Sequence, residues 1–352
     1  HLGIWSLFGT TIGLLVRQPP RPADSDQITL EPLNVMSSFS RDLACVQSGL
    51  SCTEPTTIAL IGTGALGSQI CLNAARMGYG QWTLVDPDYL YPHNLARHAL
   101  LGPHVGYPKA EALANLLNNL YAPDTIATGM VGDARNAGND LQVNAALESA
   151  DMILDSSTSV SVARYLARDI KSAAQRCSMF LNPAGTEVAI LCEDRARTIP
   201  LDSIEMQYYR AIITEPKLAE HLRPDGARIR YGGGCRDVSA RLSQHLVCLH
   251  AAICTRFLVG ASSQKDAIAC VYIANPDTFE VNMLQVRLNP PGAVKVGSWE
   301  VSFDDGFLQK MLLARTSGLP NETGGIVLGA FDMQRRIIYL VDLLPSPPDS
   351  VE

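Results

Sequence analysis

The stretch that decides the fold is Thr57-Ile58-Ala59-Leu60-Ile61-Gly62-Thr63-Gly64-Ala65-Leu66-Gly67-Ser68, followed by Trp82-Thr83-Leu84-Val85-Asp86. A short apolar run feeds a glycine loop, a helix starts inside the loop, and a second apolar run ends on an acid. In a GxGxxG loop the first glycine permits a tight turn and the second lets a ligand approach the backbone. The third lets the helix pack on the strand. The unpaired amides of the helix's first turn then face an anion. Gly62, Gly64 and Gly67 are the candidate phosphate-cradling residues, and Asp86 stands where a ribose hydroxyl is normally held.

By itself this loop says nucleotide or dinucleotide and leaves NAD and FAD open. The residues downstream narrow it: Asp86-Pro87-Asp88, then His93-Asn94-Leu95-Ala96-Arg97-His98, then Gly106-Tyr107-Pro108-Lys109 opening an Ala/Leu-rich helix. A dehydrogenase has no use for such a polar cluster, whereas a triphosphate does. Asn94 can bond ribose or phosphate oxygens, Arg97 can fork onto them, and Lys109 adds a point charge. His93, His98 and His104 lack a metal-ligand spacing and read as solvated or hydrogen-bonded loop residues.

With these motifs the chain resembles the ThiF/MoeB and ubiquitin-activating superfamily. Its adenylation domains carry GxGxxGS, DxD, NLxRQ and GxxKA in this order, and here they read GTGALGS, DPD, NLARH and GYPKA, within roughly Thr57 to Leu258. The resemblance implies adenylation of the C-terminal glycine of a ubiquitin-like protein, with ATP and Mg2+ as cofactors and pyrophosphate released, in a bacterial ubiquitination-like pathway. It places Asp86 and Asp88 in the nucleotide site and Asn94, Arg97 and Lys109 on the phosphates. It also implies a homodimer or pseudodimer in which an arginine completes the partner's ATP site, Arg41 being the candidate donor. One departure stands out: where the family has D-C-T-D-N, this chain has Asp155-Ser156-Ser157-Thr158-Ser159. Thr158 occupies the place of the acid that organises magnesium. Asp155 becomes the candidate magnesium ligand, against the alternatives of a water held by Thr158 and Ser159, of weakened adenylation, and of a polar strand end that caps the next helix.

Cys235 is unlike the other cysteines. It sits in Tyr231-Gly232-Gly233-Gly234-Cys235-Arg236-Asp237, ahead of a helix expected over about Val238 to Val259 with an apolar stripe of Leu242, Leu246, Leu249, Ile253 and Phe257. A helix N-terminus and Arg236 would favour a thiolate. The resemblance implies that Cys235 attacks the acyl adenylate and forms a thioester for a ubiquitin-conjugating-like enzyme; a loop or buried thiol without a role is the alternative. The other readings of the whole site are an adenylyltransferase for a sulfur-carrier protein and a non-catalytic scaffold.

Beyond Trp299 the segment Pro320-Asn321-Glu322-Thr323-Gly324-Gly325, flanked by WEVSF and RIIYLVDLL, resembles the first half of a JAMM (JAB/MPN) metalloprotease. That resemblance implies that Glu322 polarises a zinc-bound water. No histidine follows His250, so Zn2+ is expected only where a longer parent completes the domain, and no peptidase activity is expected of this chain.

The 352 residues are 47% hydrophobic and 18% charged, with a formal net charge of −7 and no basic run, which gives no support for nucleic-acid binding. The nine cysteines form no CxxC pair, which argues against a structural zinc site and a disulfide framework and favours a reducing cytoplasm. Cys71, Cys248 and Cys254 fall in apolar helical patterns and read as core. The apolar opening HLGIWSLFGTTIGLLV is short for a membrane span and has no cationic leader; no membrane association is expected.

The alternation of strands and helices from Ile58 to Cys192, including a helix over Val160 to Gln175, predicts an α/β, doubly wound, Rossmann-like adenylation domain with a C-terminal partial α+β segment. The expected divisions are 1–50, an N-terminal segment ending a preceding domain; 51–295, the adenylation domain with its cysteine region; and 296–352, the JAMM-like segment.

Overall fold

The structure, a computed structural model, describes residues 5–8, 11–15, 38–51, 55–136, 138, 140–223, 229–230, 238–239, 241–261, 264–320 and 324–345. Contacts divide the chain into His1–Phe39 and Ser40–Glu352. In the first unit, β1 (Trp5–Phe8) and β2 (Thr11–Leu15) form an antiparallel ribbon.

The second unit is built on an eight-stranded sheet. Its parallel part is β3 (Thr57–Ile61), β4 (Gln81–Val85), β5 (Ala127–Met130), β6 (Met152–Asp155) and β7 (Gln175–Leu181). These lie in the order β7-β6-β3-β4-β5. The chain winds outward from β3 in both directions, so the crevice at the C-terminal ends of β3 and β6 is the switch point at which such sheets bind ligands. β6 is buried at every position and β3 at all but its first, as a strand covered on both faces requires. Three antiparallel strands extend the β7 side: β8 (Glu187–Cys192), β11 (Ile268–Ala274) and β12 (Val281–Val286).

The crossover helices are α2 (Ala65–Arg76), α3 (Lys109–Leu120), α4 (Leu141–Ser149) and α5 (Val160–Arg168), preceded by the short α1 (Arg41–Gln47). α5 is shorter than the expected helix to Gln175. The wholly buried Arg176 explains the stop: its guanidinium donates to the carbonyls of Leu166, Ile170, Ser172 and Ala174, giving the chain after α5 a partner other than a helical ladder. Glu193 stands 3.7 Å from Arg176 and offsets part of the cost of burying its charge.

After β8 come α6 (Leu201–Thr214), the two-residue strands β9 (Ile229–Arg230) and β10 (Val238–Ser239), and α7 (Gln244–Ala261). Here two expectations fail. α7 starts at Gln244 rather than near Val238, and its buried face is Val247, His250, Ala251, Cys254, Thr255 and Leu258, not the stripe through Leu249 and Phe257. α7 carries apolar residues on most of its circumference, with Leu249 and Phe257 outside the buried face, so hydrophobic spacing alone did not single out the side that packs on α2. It is the described helix long and apolar enough to cross a membrane. Cys248 is exposed, whereas Cys71 and Cys254 are core as expected.

A second, four-stranded sheet closes the unit in the order β13-β14-β16-β15. Its strands are β13 (Pro291–Val296), β14 (Trp299–Asp304), β15 (Gly325–Asp332) and β16 (Ile337–Pro345), with α8 (Asp305–Gly318) between β14 and β15. It meets α6 through a small apolar cluster of Met206, Ile337, Tyr339 and Val341. Charged pairs surround it: Arg168 with Asp202 and Glu300, Arg210 with Asp304, and Arg335 with Asp169. Glu322, the expected zinc-water acid, lies outside the described residues.

Candidate functional site

The loops that follow the five parallel strands open onto one cleft of about 830 Å3. Its walls include Gly62 and Gly64 after β3, Asp86 and Asp88 after β4, Asp133 and Arg135 after β5, Ser156 to Ser159 after β6, and Asn182 and Pro183 after β7. Asn94, Arg97 and Lys109, from the excursion between β4 and α3, also line it. Residues far apart in sequence meet here because each follows a strand that ends at the same edge of the sheet.

Each glycine has a separate reason. Gly62 takes φ 88°, and a Cβ there would stand 2.7 Å from the Ser157 backbone, so the two loops at the switch point touch through bare backbone. A Cβ on Gly67 would stand 2.2 Å from the Gly62 carbonyl oxygen, locking helix to loop. At Gly64 a Cβ would meet nothing within 4 Å: its approach is to open space at the N-cap of α2, where no side chain caps the helix. The first turn of α2 thus presents uncapped amides to the cleft.

Two buried side chains pin this loop. Asp86 Oδ2 accepts from the Thr63 amide at 2.6 Å and the Thr63 hydroxyl at 3.0 Å, while its Oδ1 accepts from the Asp88 amide at 2.8 Å. His98 holds the carbonyl of the same residue, Thr63. The Leu100 amide donates to Nδ1 at 3.0 Å, so the ring proton sits on Nε2, which donates to the Thr63 carbonyl at 2.6 Å. Burial, with Lys109 and His104 adding repulsion, pushes the His98 pKa down to about 4 and keeps the ring neutral. Sequence reasoning treated His98 as a loop residue; its role needs a contact across 35 residues.

Lys109, at the start of α3, is mostly buried and pairs with Asp88 at 3.0 Å. Asn94 uses Oδ1 to accept from the Tyr91 amide at 2.9 Å, which leaves its NH2 group to serve as donor toward a ribose or phosphate. His93 is held below the usual histidine range by burial and by the charges of Arg97 and Lys109.

Asp155 is placed differently from the other candidates. It is buried, its Oδ1 accepts from the Ser157 amide at 2.9 Å and hydroxyl at 2.6 Å, and its Oδ2 lies 3.4 Å from the Ser178 hydroxyl. Burial raises its pKa, against the serine hydrogen bonds. The side chain lines a smaller chamber behind the cleft wall, not the cleft. Thr158 holds φ 58°, a left-handed conformation that costs a β-branched residue about 1–2 kcal/mol.

The sequence reading missed Asp133 and its partner Arg135, joined on the cleft rim. Their signal was present: Gly132-Asp133-Ala134-Arg135 directly follows a parallel strand, and ligands bind at that end.

The residues fit ATP: uncapped helix amides, an open Gly64, a lysine, an arginine and a neutral-amide donor face one volume. Magnesium takes one or two carboxylates alongside phosphate oxygens. Among the described residues no three metal-ligating side chains come together, and the carboxylates at hand, Asp88, Asp133 and Asp155, are each paired or hydrogen-bonded. The cysteine expected as nucleophile, Cys235, lies outside the described residues. Its expected setting is corrected, since β10 intervenes and α7 begins only at Gln244. Arg41, the candidate partner-site arginine, donates to the Gly78 carbonyl at 3.1 Å, beyond the C-terminal end of α2.

Comparison with known proteins agrees with this cleft. Residues 40–178 match the ThiF family. The uncharacterized protein y4oA of Sinorhizobium fredii is 31% identical over 137 residues, which is 36% of this chain and 23% of y4oA. The ATP-dependent ubiquitin transferase-like protein Cap2 of Enterobacter hormaechei is 43% identical over 70 residues, 20% of this chain and 12% of Cap2. The tRNA threonylcarbamoyladenosine dehydratase of Bacillus subtilis is 38% identical over 82 residues, 22% of this chain and 32% of the enzyme. The chain thus spans less than a third of the length of each of these relatives. The matched segment supports the ThiF/MoeB adenylyltransferase superfamily, and the cleft is built largely from it.

Proposed function

We propose that this chain activates the C-terminal carboxyl group of a ubiquitin-like protein with ATP. The observation that carries the reading is the convergence of the uncapped α2 N-terminus, Asn94, Arg97 and Lys109 on one cleft at the switch point. In the reaction the carboxylate oxygen attacks the α-phosphorus, the bond to the bridging oxygen breaks, and pyrophosphate leaves with that electron pair. Asp86 and Asp88 serve the ribose side of the cleft. Lys109, Arg97 and the α2 amides balance charge as it moves onto the departing phosphates, where fixed donors are worth most. Magnesium, when bound with ATP, supplies further charge neutralisation. Asp155, the ligand expected from the resemblance, would hold it only if its carboxylate left Ser157 and Ser178 and turned from the chamber to the cleft.

The acyl adenylate would pass to the Cys235 thiol: sulfur bonds to the acyl carbon, AMP leaves, and the thiol proton goes to solvent. The resemblance of GGCRD to a transfer element supports this step. Similarity to the ubiquitin transferase-like protein Cap2 supports a ubiquitin-like cargo, and the motif resemblance adds a conjugating-enzyme partner and paired adenylation domains to the proposal. For β14 to β16 we propose the first half of a JAMM-like fold, on the strand-helix-strand order and the parallel pairing of β14 with β16.

The test is ATP-pyrophosphate exchange with ubiquitin-like proteins from the same genome neighbourhood, then non-reducing gels of wild type and Cys235→Ala. Exchange in both proteins with a reducible adduct in wild type alone is expected. Exchange without an adduct assigns the chain to sulfur-carrier or peptide activation, and its absence with every cargo refutes the adenylation reading.

A further inference from the structure

Behind the cleft lies the chamber of about 180 Å3 that Asp155 also lines. It opens through Thr158, Ser159, Leu181, Asn182 and Pro183, which both volumes share, and none of the glycines, Asp86, Asn94, Arg97 or Lys109 borders it. Its walls come from α5, β7, β8 and α6 and are chiefly hydrocarbon: Val160, Ala163, Phe180, Leu191, Leu201 and Leu222.

Most polar groups on the wall already serve one another, Glu205 Oε2 being the buried wall atom with no hydrogen-bond partner. The Tyr208 hydroxyl meets His221 Nε2 at 2.5 Å, and the other nitrogen of His221 is paired with Glu187. Glu205 accepts from the Tyr209 hydroxyl at 2.9 Å and faces Arg164 at 3.6 Å. Asp155 is taken by Ser157 and Ser178. Water inside would therefore find few partners. At about 30 Å3 per molecule the space holds roughly six waters, and replacing poorly bonded water with an apolar group is favourable.

We propose that this chamber is a side-chain pocket for the carboxyl substrate: it takes an apolar residue of leucine to phenylalanine size from the last two positions of the tail whose carboxylate enters the cleft. The inference rests on the adenylation reading and adds to it. A tail ending in two glycines leaves the chamber unused, so the cargo of this enzyme carries a larger residue there. The occupant is argued from continuity: the chamber shares Thr158, Ser159, Leu181, Asn182 and Pro183 with the cleft, and Gly62, Gly64, Asn94, Arg97 and Lys109 border the cleft but not the chamber.

The experiment measures kcat/KM for ATP-pyrophosphate exchange with short synthetic peptides that differ only at their free carboxyl end, closing in Gly-Gly, Leu-Gly or Gly-Leu. A methylene or two in such a pocket is worth about tenfold or more, so one leucine-bearing peptide should exceed the Gly-Gly peptide at least about tenfold. Ala163→Leu, which fills the chamber from α5, should bring that ratio to about one. Leu222→Ala, at a half-exposed wall position, should lower it about threefold, which keeps the test intact if the first variant does not fold. Exchange with equal kcat/KM for all three peptides overturns the pocket and leaves the adenylation reading standing. Exchange with none of them, when intact ubiquitin-like proteins also give none, overturns both.

Discussion

The two halves of the cleft are built on opposite plans. On the side of residues 62–109, Asp86 and His98 are spent on holding the loop, yet donors still border the volume. Gly64 meets open space, the α2 amides are uncapped, and Lys109 and the Asn94 amide stand at the wall. On the side of residues 155–183, polar groups turn inward onto each other: Asp155 onto Ser157 and Ser178, and Asn182 onto the Glu187 amide. What that second wall exposes behind Thr158 is hydrocarbon. Under the proposed function this contrast is a division of labour, in which the first half would supply charge recognition common to any polyphosphate and the second shape that discriminates among carboxyl substrates.

The sharpest way to break this contrast is Gly67→Ala. Its Cβ would stand 2.2 Å from the Gly62 carbonyl, so loop and helix must separate. ATP binding should be lost in calorimetry and stability should fall by roughly 3 kcal/mol in urea unfolding. An alanine tolerated there would mean that the loop does not need its close packing. Next in size, Lys109→Ala should cut exchange about a hundredfold, a little under 3 kcal/mol of transition-state stabilisation. A loss of exchange below threefold would move the phosphates away from this wall.

His98 tests the pinning of the loop through pH. Its pKa is pushed down from 6.5 to about 4, so on acidification the unfolded chain takes up the proton first. The stability tied to neutral His98 is complete above about pH 6.5 and is lost as pH falls through about 4, a change of up to about 3 kcal/mol shared with other groups. Histidine NMR resonances followed from pH 8 to 4 should show one ring that stays neutral until near pH 4. A ring at this position titrating near 6.5 would contradict its burial. The smallest effect is expected on the second wall. Thr158→Gly relieves a left-handed β-branched residue with φ 58° and should stabilise the protein by about 0.5 kcal/mol, net of the entropy glycine adds to the unfolded chain. Destabilisation instead would mean that the Thr158 side chain is held by something worth more than its strain.

Much of the first half was legible beforehand because its signals are local. Gly62, Gly64 and Gly67 act within one turn of chain, and Asp86 and Lys109 each follow an element boundary that apolar spacing marks. The end of α5 was not legible, since the group that collects its last carbonyls is Arg176, buried and on the next strand. Nor was the packing side of α7, whose apolar residues extend over most of its circumference. Asp133 and Arg135 were visible as a pair yet gained meaning only once β5 was seen to end at the same edge as β3.

The sequence alone determined that a strand, a glycine loop and a helix would offer uncapped amides to an anion, because turn geometry and periodicity are properties of consecutive residues. The tertiary structure decided which polar groups stay free for a ligand and which are spent on one another. That choice depends on burial: an acid such as Asp155, withdrawn from water, must take the nearest hydroxyls and amides as partners, and only the folded chain sets what is nearest.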